Sequence, residues 1–143
     1  DDMLIPVCSK QLLEVEDVQL PGNPDSSLPY IAYLSATLIG KAVADRLNLH
    51  EKKTYLDKRY ESPCADHIKN MVRQGFGVAW LSRLSIEREL KAGDLTCIGD
   101  SRYHVPLTIK IYRSSSNNKP EVTKTWNTLA GHYSSRAQIA QSV

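Results

Sequence analysis

Apolar positions along the chain fall into short continuous runs separated by stretches with helical spacing. Met3-Leu4-Ile5-Pro6-Val7-Cys8 is an apolar run of strand length, and Pro6, which has no N–H to donate, restricts it to an edge or crossing position. Residues 10–29 contain Pro21-Gly22-Asn23-Pro24-Asp25-Ser26-Ser27, a cluster of breakers that reads as loop. Tyr30-Ile31-Ala32-Tyr33-Leu34 is β-branched and aromatic, which predicts a strand. Ser35 or Thr37 then caps a helix reaching Arg46, with Leu38, Ile39, Val43 and Leu47 at helical spacing. Residues 54–60 read as a strand. Ser62-Pro63 reads as a helix start, with Ser62 at the cap and Pro63 at the first helical position, where a missing N–H costs nothing.

That helix carries Ile68, Met71 and Val72 and ends at Gly75, a residue suited to a left-handed cap. Val78-Ala79-Trp80-Leu81 is a short buried strand. Residues 85–92 form an amphipathic helix stopped by Gly93, followed by a strand at 95–98 and an alternating strand at 105–112. Pro120 opens a last helix with Val122, Trp126 and Leu129 on one face, and the final ten residues are polar enough to fray. Strands alternating with helices predict an α/β domain with a mostly parallel sheet.

Composition narrows the class without naming a function. A chain of 143 residues, 41% hydrophobic and 24% charged, fits one ordinary domain with a core of its own. The net charge of +2 is not gathered into a basic stripe, so no nucleic-acid footprint is present in these residues. No apolar run approaches the ~20 residues of a membrane span, and no leader peptide opens the sequence. Asp1-Asp2-Met3-Leu4 starts inside a strand, which leads us to expect natural sequence upstream. Cys8, Cys64 and Cys97 are odd in number and far apart, as expected of free thiols in a reducing cytoplasm.

Gly75-Phe76-Gly77 has the glycines of a dinucleotide loop but the wrong order of elements, because a helix precedes them and a strand follows. Cys64 and His67 share a helix face, but no acid partner is fixed by spacing. They also supply two metal ligands at most, and His50, His104 and His132 have no local partners. No metal or cofactor is expected, and no catalytic residue. The stronger feature is a repeated one: one strand runs into Ser35-Ala36-Thr37 and another into Ser62-Pro63-Cys64. In an open α/β sheet, ligands collect at the carboxyl ends of strands, where helix starts offer N–H donors. The same residues also read as two ordinary caps.

The stretch Met71-Val72-Arg73-Gln74-Gly75-Phe76-Gly77-Val78-Ala79-Trp80-Leu81 and the later Glu89-Leu90-Lys91-Ala92-Gly93-Asp94-Leu95 resemble the effector-binding domain of LysR-type transcriptional regulators. Ser82 stands where that family usually has proline. The resemblance implies a type 2 periplasmic-binding-protein-like α/β fold of two lobes joined by crossing strands. It assigns 1–9 to the first crossing strand, 10–103 to a complete second lobe, and 104–143 to the second crossing strand and a return to the first lobe. The N-terminal winged helix-turn-helix and most of the first lobe would then be absent, with DNA bound through that absent part.

By the same resemblance, Tyr33, Ser35, Ala36, Thr37, Tyr60, Ser62 and Pro63 face the effector, with Trp80 either a cleft wall or a core residue. The expected assembly is a homodimer or homotetramer in the cytoplasm, with strand 54–60 and helix 63–74 as one contact surface and no membrane partner. The signal is either a small anionic or aromatic metabolite, or an oxidant. The family includes cysteine-pair peroxide sensors and a hypochlorite-responsive member that uses methionine oxidation, and some stretches here resemble the latter. That chemistry would fall on Met71, with Cys64 as a second redox candidate. A solute-binding protein of similar fold is the alternative reading.

Overall fold

The computed structural model describes residues 1–49 and 53–133; His50 and the last ten residues lie outside them. Two units are distinguished, one of Asp1–Ile109 and a second that begins at Lys110. The first is built around β1 (Asp2–Ser9). β4 (Ala79–Ser82) lies antiparallel along one edge of β1, with Leu81 opposite Ile5 and Ala79 opposite Val7. β5 (Leu95–Cys97) and β6 (Val105–Leu107) share the other edge, also antiparallel, with Cys97 opposite Val7 and Val105 opposite Leu4. β2 (Leu28–Tyr33) and β3 (Leu56–Ser62) pair in parallel. Val78 connects this pair to β4: its N–H donates to the Pro29 carbonyl at 2.7 Å and its carbonyl accepts from Ile31 at 2.9 Å.

The expectation of a mostly parallel sheet therefore holds for β3, β2 and β4 and fails at the centre, because β1 opposes every neighbour. Pro6 does not force β1 to an edge either. Its carbonyl accepts from Ile98 N–H at 2.9 Å, so its ring nitrogen faces the edge shared by β5 and β6. The β6 pairing stops at Leu4 and the β5 pairing starts at Val7, so the missing donor falls in the gap between them. A proline is tolerated in an interior strand because that position has no ladder bond to lose.

Side chains of β1 alternate between the two faces of the sheet, as strand geometry requires. Ile5 and Val7 pack with Ile68 and Val72 of α3 (Ala65–Arg73), and with Ile86 and Leu95. Leu4 packs on the opposite face with Trp80, Tyr103, Val105 and Val43 of α2 (Leu38–Asn48). The sheet is thus covered on both faces. A short α1 (Lys10–Val15) occupies part of the segment expected to be loop: Ser9 Oγ accepts from Leu12 N–H at 3.2 Å and Leu12 is buried, whereas the breakers begin only after residue 20. The Leu20–Pro21 peptide bond is cis.

α3 starts two residues later than expected. Ser62 is the last residue of β3, its Oγ accepts from Cys64 N–H at 3.1 Å, and Cys64 takes the cap position. α3 ends as the sequence indicates, with Gly75 at φ +83°. A 3-10 turn (Leu84–Ile86) leads into α4 (Glu87–Ala92), ended by Gly93. The strand expected at 105–112 stops at Leu107, because Leu107 is already opposite Asp2, the first residue of β1, and the ladder has no further partner. In the second unit Pro120 opens α5 (Pro120–Tyr133), as its sequence indicates. No helix among the described residues is long and apolar enough to cross a membrane.

Candidate functional site at the carboxyl ends of the strands

The parallel register sets the carboxyl ends of β2 and β3 side by side, with Tyr33 opposite Ser62 and Ala32 opposite Glu61. Leu34 N–H continues the pairing to the Ser62 carbonyl at 3.0 Å. The chain then turns sharply into α2. Thr37 fixes this turn: its hydroxyl donates to the Leu34 carbonyl at 2.7 Å and accepts from Gly40 N–H at 3.0 Å. Thr37 is therefore the cap, while Ser35 and Ala36 stand exposed ahead of it. Two helix starts reached from adjacent strands thus form one rim.

Glu61, which the sequence does not single out, crosses this rim. Its Oε1 accepts from Ser35 N–H at 3.1 Å, and its Oε2 pairs with Lys58 Nζ at 3.3 Å. Only the parallel register reveals it, since Glu61 and Ser35 lie 26 residues apart. Tyr33 is buried just below. Burial first, then the charges of Cys64 and Asp66, push its phenol up to about 12, so it stays a neutral hydroxyl across the ordinary pH range. Tyr60 is exposed on β3 and Pro63 is exposed between β3 and α3.

Trp80 is not part of this rim. It is 1% exposed, meets Tyr30 edge-on with ring centroids 5.7 Å apart, and donates from Nε1 to the Tyr103 carbonyl at 2.7 Å. It is a core residue and has no face left for a ligand. Met71 is half-buried against the apolar cluster between the sheet and α3. No hydrogen bond joins Cys64 to His67 among the described residues. His104, which has no partner by sequence spacing, does meet a thiol: Cys97 Sγ lies 3.8 Å from its Nε2. Among the described residues no group of three or more His, Cys, Asp or Glu converges in a metal-binding arrangement.

Next to this rim, Asp2 at the start of β1 accepts from the Ser82 hydroxyl and from Leu84 N–H, the latter at 3.3 Å. An open groove of about 550 Å³ lies there, lined by Asp2, Met3, Arg83, Leu84, Glu87 and Lys91. Polar groups thus gather at the carboxyl ends of β2, β3 and β4 alike.

An α/β sheet covered on both faces, with an antiparallel strand inserted beside parallel ones and polar groups at the strand ends, is the architecture of a type 2 periplasmic-binding-like domain. Residues 29–134 match the LysR substrate binding domain, and the chain belongs to that family. It is 21% identical over 129 residues to the HTH-type transcriptional regulator YjiE of Escherichia coli K12, covering 90% of this chain and 41% of YjiE. Among solved structures, the apo regulatory domain of HypT from Salmonella typhimurium superposes with a TM-score of 0.80 at 20% identity, over 94% of this chain and 62% of that one. HypT is a hypochlorite-specific LysR-type regulator. DarR of Vibrio fischeri, solved in complex with DNA, gives a TM-score of 0.77 at 24% identity, over 90% of this chain and 42% of DarR. The chain spans about half the length of the curated relatives it matches.

Proposed function

We propose that this chain is the signal-sensing part of a LysR-type, DNA-binding transcriptional regulator. A small molecule settles on the rim formed by Ser35, Ala36, Thr37, Tyr60 and Pro63, above the buried Tyr33 and Ser62, and alters the geometry of a cytoplasmic homodimer or homotetramer on DNA. The observation that carries this reading is the Tyr33–Ser62 register, which turns two separate helix starts into one continuous surface. The side-by-side pairing of Asp2 with Leu107 supports reading 1–9 and 104–112, the latter with its strand part at 105–107, as the two segments crossing to another lobe, with 10–103 as the lobe that bears the rim. DNA contact then belongs to a winged helix-turn-helix outside this chain. The exposed strand β3 and helix α3 provide one surface for a second copy.

A second reading takes an oxidant such as hypochlorite as the input. It is supported by the position of Met71, half-buried against the core, where a sulfoxide would set a polar oxygen among apolar neighbours and loosen α3.

Binding of the intact regulator to its own promoter, measured against a metabolite panel, hypochlorite and peroxide, separates the two. A metabolite response lost in Ser35→Trp, which fills the rim, supports the first. An oxidant response lost in Met71→Ile supports the second. Promoter binding indifferent to every metabolite and oxidant overturns both, and leaves a solute-binding role as the alternative.

A further inference from the structure

Four N–H donors at the ends of β2 and β3 are taken up by the chain itself. Thr37 N–H is bound by the Leu34 carbonyl, Gly40 N–H by Thr37 Oγ1, and Cys64 N–H by Ser62 Oγ. These acceptors are neutral. The acceptor of Ser35 N–H is different, because Glu61 brings a full negative charge to it at 3.1 Å. Lys58 holds the other oxygen of the same carboxylate, so Glu61 is fixed from both sides. Asp66, in the first turn of α3, adds a second carboxylate close enough to raise the Tyr33 phenol.

To reach the Ser35 N–H, an incoming carboxylate, sulfate or phosphate would have to displace Glu61, and it would sit beside like charge from Glu61 and Asp66. A neutral or positively charged group meets no such repulsion, and a donor group finds acceptors already in place. We propose that Glu61 is a specificity-determining residue. It fills the anion position at the Ser35 N–H with the protein's own carboxylate, so this end of the rim disfavours anionic effectors and favours neutral or cationic ones. Its relevance to signalling rests on the effector-site reading above, but the occupancy itself is tested on this chain alone.

The first measurement follows the backbone amide of Ser35 by NMR during a sulfate titration of the 143-residue chain. In the native chain the Ser35 amide should not move. In Glu61→Ala it should show a saturable shift, while the amide spectrum elsewhere reports an intact fold. A native Ser35 amide that responds to sulfate as strongly as the variant overturns the proposal, and so does a Glu61→Ala chain that ignores sulfate.

The second measurement compares benzoate, benzamide and benzamidine, one shape in three charges, on the intact regulator. Benzoate should bind weakest to the native protein, and Glu61→Ala should improve it by about tenfold relative to benzamidine. Equal ranking in the two proteins overturns the proposal. Failure of all three probes at the rim, with the sulfate response of Glu61→Ala present, counts against the effector-site reading and leaves the anion-occupying role of Glu61 standing.

Discussion

The indole nitrogen of Trp80 donates to the main-chain carbonyl of Tyr103 at 2.7 Å, tying β4 to the turn that delivers the chain into β6. The two residues are 23 positions apart, and both belong to the cluster with Leu4, Val43 and Val105. Trp80→Phe removes a buried donor and some of the packing volume. It should lower the free energy of unfolding by about 2 kcal/mol. Urea titration followed by far-UV circular dichroism would read this, and a loss under a few tenths would place the indole outside the core's support.

Gly77 lets β2 and β4 approach. A Cβ there would lie 2.5 Å from the Pro29 carbonyl oxygen, in the link between Pro29 and Val78. Neither partner is a flexible side-chain end, so the backbone would have to move. Gly77→Ala should cost about 3 kcal/mol. Gly131, in α5, has open space around its would-be Cβ, and Gly131→Ala should be neutral or favourable by up to about 1 kcal/mol. Thermal melts of the two variants should move in opposite directions or differ sharply in size.

Thr37 serves both as cap of α2 and as the clasp of the turn after β2. Thr37→Ala removes bonds to the Leu34 carbonyl and from Gly40 N–H, and should cost about 1 kcal/mol. Thr37→Ser, which keeps the hydroxyl, should recover most of it. Equal loss in both variants would mean that the methyl group, not the oxygen, holds the turn.

Alkali should weaken the fold through Cys8. Burial first, then the neighbouring Cys97 sulfur, push the Cys8 thiol from an ordinary value of 9.0 up to about 11. In the unfolded chain the thiol gives up its proton from pH 9 upward, while in the folded chain it keeps it until about pH 11. Ionisation therefore favours the unfolded state, and stability falls as pH rises through that window. The tyrosines also titrate at high pH, so the informative quantity is the difference between the native chain and Cys8→Ala. The native chain should lose more stability than the variant between pH 9 and pH 11. Parallel pH profiles would remove Cys8 from the account.

What could be read from the sequence was what is decided locally. Thr37 as a cap, Gly75 as a helix stop and Pro120 as a helix start each depend on a few adjacent residues. Ser35 and Thr37 of the rim, and Ser62 beneath it, were visible for the same reason. The central place of β1 was not, because its partners lie about eighty residues away and Pro6 argues against an interior strand unless the gap between β5 and β6 is known. Glu61 stayed hidden because its role depends on the register between two strands and not on any pattern within one. Trp80 could be wall or core until its indole partner was seen.

β1 is synthesised before every strand that pairs with it. Its register partners run from Ala79 to Leu107, so a growing chain carries an apolar strand with both edges bare until most of the lobe has been made. Contacts of that sequence separation are slow to form, and an unpaired apolar strand is open to neighbouring chains while it waits. Nascent chains halted before residue 105 should therefore depend on chaperones more than the finished protein does. The arrangement that gives the sheet its centre leaves the nascent chain most exposed to aggregation while it is still on the ribosome.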